Sequence, residues 1–262
     1  MKKTLIFVMT AILVLVSAFA LADGKTLADI QAKGELVIAT SPDFPPFEAL
    51  QGDGSVKGIE IDIMEKVCDA LGVKLVIEQV DFDSILQGIS SGTYDVGVSG
   101  ISVTEERKKN VLFTDPYCLA AQAIVVVEGS DIASKADLAG KLISVQTGTT
   151  SELSCLAEGY NVESYTQNVD AELAVLNNNV DAWVIDDLTA AEMVAANNAQ
   201  SDKKLVILDE ALSTEPYAFA FQFGSEDLVE AVNQTLNGLV EDGTVAAIFE
   251  AFDAPYTSPL AK

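Results

Sequence analysis

Twice along this chain an apolar strand is followed by a helix, a second strand, a second helix and a third strand. In the first half, residues 36–39 form an uninterrupted apolar run, as expected for a strand buried on both faces. A helix is predicted near 60–71, with Ile63, Met64, Val67, Cys68 and Leu71 on one face and Gly72 as its stop. A strand at 74–77, a helix near 83–91 ending at Gly92 and a strand at 95–98 complete the unit. The second half predicts strands at 142–145, 162–165 and 181–185, with helices near 150–157 and 170–178 between them. A shift of 86 positions carries Asp95 onto Asp181 and Gly100 onto Asp186. Strands that alternate with helices imply parallel sheets covered by helices, and two such units imply two lobes.

The segments between the units read differently. Residues 124–127 are strongly β-branched, and 217–223 alternate large and small side chains at period two. Both predict strands near the points where the chain passes between lobes. Ser225 is expected to cap a helix carrying Leu228, Val232, Leu236 and Leu239, and Gly243 breaks it before a last helix with Val245, Ile248, Phe249 and Phe252.

The first 22 residues read as an export signal. Lys2 and Lys3 supply a positive start, residues 5–16 are apolar, and Ala20 and Ala22 bracket a cleavage point before Asp23. A membrane anchor is the competing reading, but the run is shorter than the roughly 20 residues that a spanning helix needs. No Cys lies near the cleavage point, so no lipid anchor is expected, and the mature chain is placed in a periplasm. Over the full sequence, the balance of 15 Lys plus Arg against 40 Asp plus Glu repels nucleic acid. The odd set Cys68, Cys118 and Cys155 is no disulfide framework, although one pair is possible, and Cys68 reads as a buried core thiol. With no His in the sequence, His-dependent triads and most catalytic zinc sites are excluded.

Ligands of open α/β sheets bind beyond the carboxyl ends of the strands, so the residues that follow each strand are the candidate site. Arg107, the only Arg in the chain, has a planar fork suited to a carboxylate, but it also lies in a charged run that reads as surface. Thr149 and Glu152 fit a capping box at a helix start that either binds an anion or is simply capped. Asp186 ends a strand, where it either receives an ammonium group or caps the next helix. Phe44 and Phe82 either sandwich an apolar part of a ligand or fill the core. Together these groups complement an α-amino acid.

Several ordered segments carry a resemblance. They are residues 41–48 (SPDFPPFE), 80–83 (VDFD), 91–95 (SGTYD), 99–107 (SGISVTEER), 113–117 (FTDPY), 148–150 (GTT) and 180–182 (VDA). From about residue 33 to 256 the chain resembles the polar amino-acid (family 3) periplasmic binding proteins of ABC transporters. The resemblance implies an α/β fold of the type II-like periplasmic-binding-protein class, two lobes each with a mixed sheet flanked by helices, joined by two hinge strands. Lobe 1 is expected over 23–117 and 218–262, lobe 2 over 121–213, with hinges near 117–121 and 213–217.

The resemblance further implies that Arg107 clamps the ligand carboxylate, helped by the N–H groups of Ser102 and Thr150. Asp186, the Gly100 carbonyl and the Ser102 hydroxyl hold the ammonium, and Phe44 and Phe82 flank the side chain. Ser41, Ser99 and Gln146 are assigned to the side-chain pocket. Ser41 stands where relatives that prefer basic amino acids often carry an Asp, and Gln146 where some carry a Lys, so a polar uncharged amino acid is expected. No catalytic group, metal or cofactor is expected, and the expected partners are the amino acid and a transporter permease, with the protein a monomer. The alternatives are a dehydratase on the same scaffold, resembling those that act on cyclohexadienyl acids and using Asp186 or Glu48 as general acid, or an amino-acid sensor.

Overall fold

In this computed structural model, residues 24–260 are described, so the expected export signal lies outside them. Strand Glu35–Thr40 is the axis of a first sheet, with Lys74–Gln79 and Val96–Gly97 parallel to it on either side. Ala220–Phe221 and the edge strand Leu112–Phe113 continue that sheet antiparallel. Successive side chains of a strand point to opposite faces. Accordingly Leu36 and Ile38 join Ile63, Met64, Val67 and Cys68 of helix Ile59–Leu71, while Ala39 joins Ile85 and Ile89 of helix Phe82–Ser90.

The second sheet runs Asn161–Tyr165, Leu142–Gln146, Ala182–Asp186, Cys118–Val127, Leu205–Ile207. Its first three strands are parallel and the long strand Cys118–Val127 is antiparallel to both neighbours. Helix Thr150–Ala157 covers one face, where Cys155 packs with Ile143, Val145 and Val184. Helices Asn168–Leu176 and Asp187–Gln200 cover the other, around Trp183 and Ile185. The mixed α/β fold, with a principal sheet in each of two lobes and a small antiparallel sheet of Asp43–Phe44, Glu48–Leu50 and Val56–Lys57, agrees with the sequence expectation.

The internal repeat has a physical basis. Asp95 N–H donates to the Val37 carbonyl at 2.9 Å and its carboxylate accepts from Val37 N–H at 2.8 Å. Asp181 makes the same pair of bonds with Leu142, at 2.7 and 2.8 Å. In each lobe, one Asp at the start of the third strand fastens the beginning of the first.

Residues 217–223 do not form the single strand expected. Thr214–Tyr217 and Ala220–Phe221 are separate strands, and Tyr217 to Gln222 are all buried, so their alternation of size does not mark an exposed face. The chain leaves its pairing with Cys118–Ala121 and enters the first sheet, turning where Phe219 N–H donates to Thr114 Oγ1 at 3.0 Å. Ser225 flanks helix Glu226–Glu241 as expected but makes no capping bond. Its φ of −99° and ψ of 28° lie outside the extended region from which a hydroxyl reaches back to the helix start. All three cysteines are buried and free.

Candidate functional site

The carboxyl ends of both sheets meet at one narrow cavity. Its walls contain every residue assigned to ligand binding from the resemblance: Ser41, Phe44, Phe82, Ser99, Gly100, Ser102 and Arg107 from the first lobe, and Gln146, Thr150 and Asp186 from the second. Asp43 and Thr149 line it too. Glu48, the other acid considered for an enzyme, does not line it; it is fully buried behind Ser99, whose hydroxyl donates to it at 2.8 Å.

Arg107 is buried, which excludes the surface reading. A short 3-10 turn, Arg107–Lys109, aims its guanidinium inward. Nη1 donates to the Ser102 carbonyl at 2.9 Å and Nη2 to the Gly148 carbonyl at 3.1 Å, so the side chain spans the two lobes. Its central carbon lies 5.6 Å from the Phe82 ring centroid, a cation–π distance. Burial pulls its pKa down, and the negative charge of Glu215 and Asp186 opposes that shift. Among the described residues it makes no ion pair.

Asp186, at the end of its strand, accepts from Gln122 Nε2 at 2.8 Å and from the Tyr217 hydroxyl. Burial pushes its pKa up to about 7; those two hydrogen bonds work against the rise, and Glu215 and Asp187 add to it. The carboxylate makes no capping bond to the helix that follows. Asp187 takes that position instead, accepting from Leu188 N–H at 2.9 Å.

The turn before helix Thr150–Ala157 is capped in a way that differs from the expected box. Thr149 Oγ1 accepts from Glu152 N–H at 3.2 Å, but the Glu152 carboxylate takes Gly148 N–H at 2.7 Å rather than the N–H of Thr149. Thr150 directs its hydroxyl across the cavity toward Ser102 Oγ at 3.3 Å. Gly100 has a φ of 54°, and a Cβ there would sit 2.5 Å from the Phe44 ring. The bare glycine lets that ring close over the loop. Phe44 also stacks on Phe47 at 5.5 Å, so it serves the core and the cavity together.

Asp43 is a cavity residue to which the sequence reading gave no role, although it falls in the segment 41–44 that follows the first strand. Its carboxylate accepts from Ser41 Oγ at 2.9 Å, Gln146 Nε2 at 3.2 Å and Asn168 N–H at 2.7 Å. Burial raises its pKa against those hydrogen bonds. A signal was present: Asp43 lies in the turn-rich segment that directly follows a strand end, two residues from Ser41. Gln122 and Tyr217, which hold Asp186, carried no such signal, because each lies far from it along the chain.

Comparison with known proteins follows this geometry. The family profile of the bacterial extracellular solute-binding proteins, family 3, matches residues 36–253. The L-cystine-binding protein TcyJ of Escherichia coli (strain K12) is 28% identical over 254 residues, covering 95% of this chain and 94% of its own. The crystal structure of a mutant of ArgBP from T. maritima is 36% identical with a TM-score of 0.81, covering 87% of this chain and 98% of that one. An ancestral arginine-binding protein bound to glutamine is 38% identical with a TM-score of 0.77, covering 84% and 97%.

Proposed function

We propose that this chain, which belongs to the bacterial extracellular solute-binding proteins of family 3, closes two lobes around one free α-amino acid and delivers it to the permease of an ABC uptake system. The observation that carries the reading is the pair Arg107 and Asp186. Two opposite charges are buried in one cavity and neither is paired with the other. Burying charges without partners costs several kcal/mol each, and a zwitterion offsets both. In this reading the ligand carboxylate lies against Arg107 and the N–H groups of Ser102 and Thr150. Its ammonium lies between Asp186, the Gly100 carbonyl and the Ser102 hydroxyl, and Phe44 and Phe82 flank the side chain.

The side-chain end adds a third charge, Asp43, to which no Lys or Arg among the described residues is paired. A cavity carrying one positive and two negative groups complements an amino acid with a basic side chain. Asp43 thus supplies the carboxylate absent at Ser41. The polar uncharged ligand expected from Ser41 and Gln146 is the second reading. The three donors already on Asp43 favour it, because they satisfy the carboxylate without a cation. The protein acts by binding as a monomer, exported to the periplasm on the leader at residues 1–22, with its crossings at 117–121 and 213–217 as the hinges.

The test is thermal unfolding of the refolded, ligand-stripped mature protein against the common L-amino acids. A ligand at about 100 times its dissociation constant adds roughly 2.7 kcal/mol and raises the midpoint. One or a few hits, led by arginine or lysine on the first reading and glutamine on the second, support the proposal. A flat panel refutes it, and turnover of prephenate or arogenate would establish the dehydratase reading instead.

A further inference from the structure

Behind the cavity wall lie two acids with no cation. Glu48 and Glu60 are both fully buried, and their carboxylates accept from the adjacent residues Ser99 (Oγ, 2.8 Å) and Gly100 (N–H, 2.9 Å). The fold presses them together. Glu60 N–H donates to the Phe47 carbonyl at 3.1 Å, one residue before Glu48, and a Cβ on Gly58 would meet that same carbonyl at 2.0 Å. Only a bare backbone lets the start of helix Ile59–Leu71 approach strand Glu48–Leu50 so closely.

The two carboxyls have unequal surroundings. Glu60 accepts from Gly100 N–H at 2.9 Å on one oxygen and from the Tyr117 hydroxyl at 2.5 Å on the other. It also lies in the first turn of a 13-residue helix, where the macrodipole favours an anion. Glu48 accepts only from Ser99 Oγ, and its Oε2 is buried with no donor. An oxygen without a donor, next to a carboxylate, has the surroundings of an acid O–H that donates to its neighbour. The other titratable groups facing the pair are Asp43, Tyr117 and Cys118, none of them cationic.

We infer that Glu48 and Glu60 share a single proton, carried by Glu48, and that this acid–carboxylate pair is the positioning element for the Ser99–Gly100 loop. The Gly100 role rests on the amino-acid reading above; the shared proton does not. Ser99 is fixed by the protonated member and Gly100 N–H by the ionised one, which sets the Gly100 carbonyl toward the ligand ammonium. Burial raises the pKa of both groups, in keeping with a proton retained through neutrality.

Glu48→Gln tests this, because its amide N–H stands where the acid O–H points and its oxygen still accepts from Ser99. The unfolded chain releases a proton that the native pair retains. Above the unfolded carboxyl pKa, and for as long as the native pair keeps its proton, the unfolding constant of the native sequence should therefore rise about tenfold more per pH unit than that of Glu48→Gln. Arginine affinity in Glu48→Gln should stay within about threefold, while Glu60→Gln, left with one oxygen for two donors, should lose about tenfold or more. Independently, above the ordinary carboxyl range the native sequence should show an infrared C=O stretch of a protonated carboxylic acid that Glu48→Gln lacks. Parallel pH dependences, equal damage from the two substitutions or absence of that band would overturn the inference. Failure of both proteins to bind any amino acid would refute the ligand reading alone, since the unfolding and infrared comparisons use no ligand.

Discussion

Replacing Asp43 by Asn separates the two candidate ligand classes. The substitution keeps the size and shape of the side chain while removing its charge. It also weakens the bond from Asn168 N–H at 2.7 Å, which joins the lobes and therefore affects every ligand alike. What differs between ligands is the direct interaction. A hydrogen bond to a charged group is worth about 1.5–3 kcal/mol, so a basic side chain on Asp43 should bind about 10- to 150-fold more weakly after the change. Glutamine, of similar length and no charge, should lose only the shared part. Isothermal titration of both proteins with arginine and glutamine gives a four-cornered comparison in which the loss of the lobe-joining bond cancels. An arginine-specific loss of at least about tenfold supports the basic-ligand reading. Equal losses for the two ligands would refute the charge argument and leave Asp43 as a fastening between lobes.

Arg107→Ala should weaken amino-acid binding by about 2–5 kcal/mol in the same titration, because it leaves the ligand carboxylate buried without a partner. Retention of affinity would place the clamp elsewhere. The pKa of Asp186, raised to about 7, predicts that affinity for an ammonium group increases as pH rises through that value and the carboxyl ionises. For the ligand-free protein the sign reverses: the native state holds a proton that the unfolded chain releases near pH 4, so this group's contribution to stability falls between about pH 4 and 7. Asp186→Asn should flatten both trends. Gly100→Ala should lower the melting midpoint and the affinity together, by about 1–3 kcal/mol, since its Cβ meets the Phe44 ring at 2.5 Å on a backbone with φ of 54°. Ser225→Ala should change stability by no more than about 0.5 kcal/mol, in contrast to the roughly 1 kcal/mol typical of a working cap.

What was legible in the sequence was whatever depends on near neighbours along the chain. The helix over residues 59–71 follows from the spacing of Ile63, Met64 and Val67 and the left-handed Gly72 that ends it. The cavity residues follow from strand ends, because a parallel sheet brings those ends to one edge. Side-chain direction was less accessible. Glu152 reaches Gly148 rather than Thr149, and Ser225 faces away from its helix, though each occupies a position where sequence alone predicts a standard cap. Least accessible were pairs joined only by the tertiary fold. Nothing within a few residues of Asp186 points to Tyr217, and nothing near Glu48 points to Glu60 as its neighbour, because each contact forms only after distant strands have found their places. Tyr217 to Gln222 mimic a half-exposed strand for a related reason: alternation of size is also compatible with burial on every side.

The strands that pass between the lobes are hydrogen-bonded to each other, Cys118–Ala121 against Thr214–Tyr217. Two separate cords would let the halves slide, shear or swing independently. A two-stranded ribbon is stiff within its plane and yields mainly by twisting or by bending across it. If these strands are the hinges, as proposed, such a ribbon confines the relative movement of the lobes to few coordinates. Tyr217 ends that ribbon with its hydroxyl on Asp186, so a ligand that draws on Asp186 also pulls at the ribbon's end. On the proposed reading, occupancy of the cavity becomes rotation about the line of that ribbon.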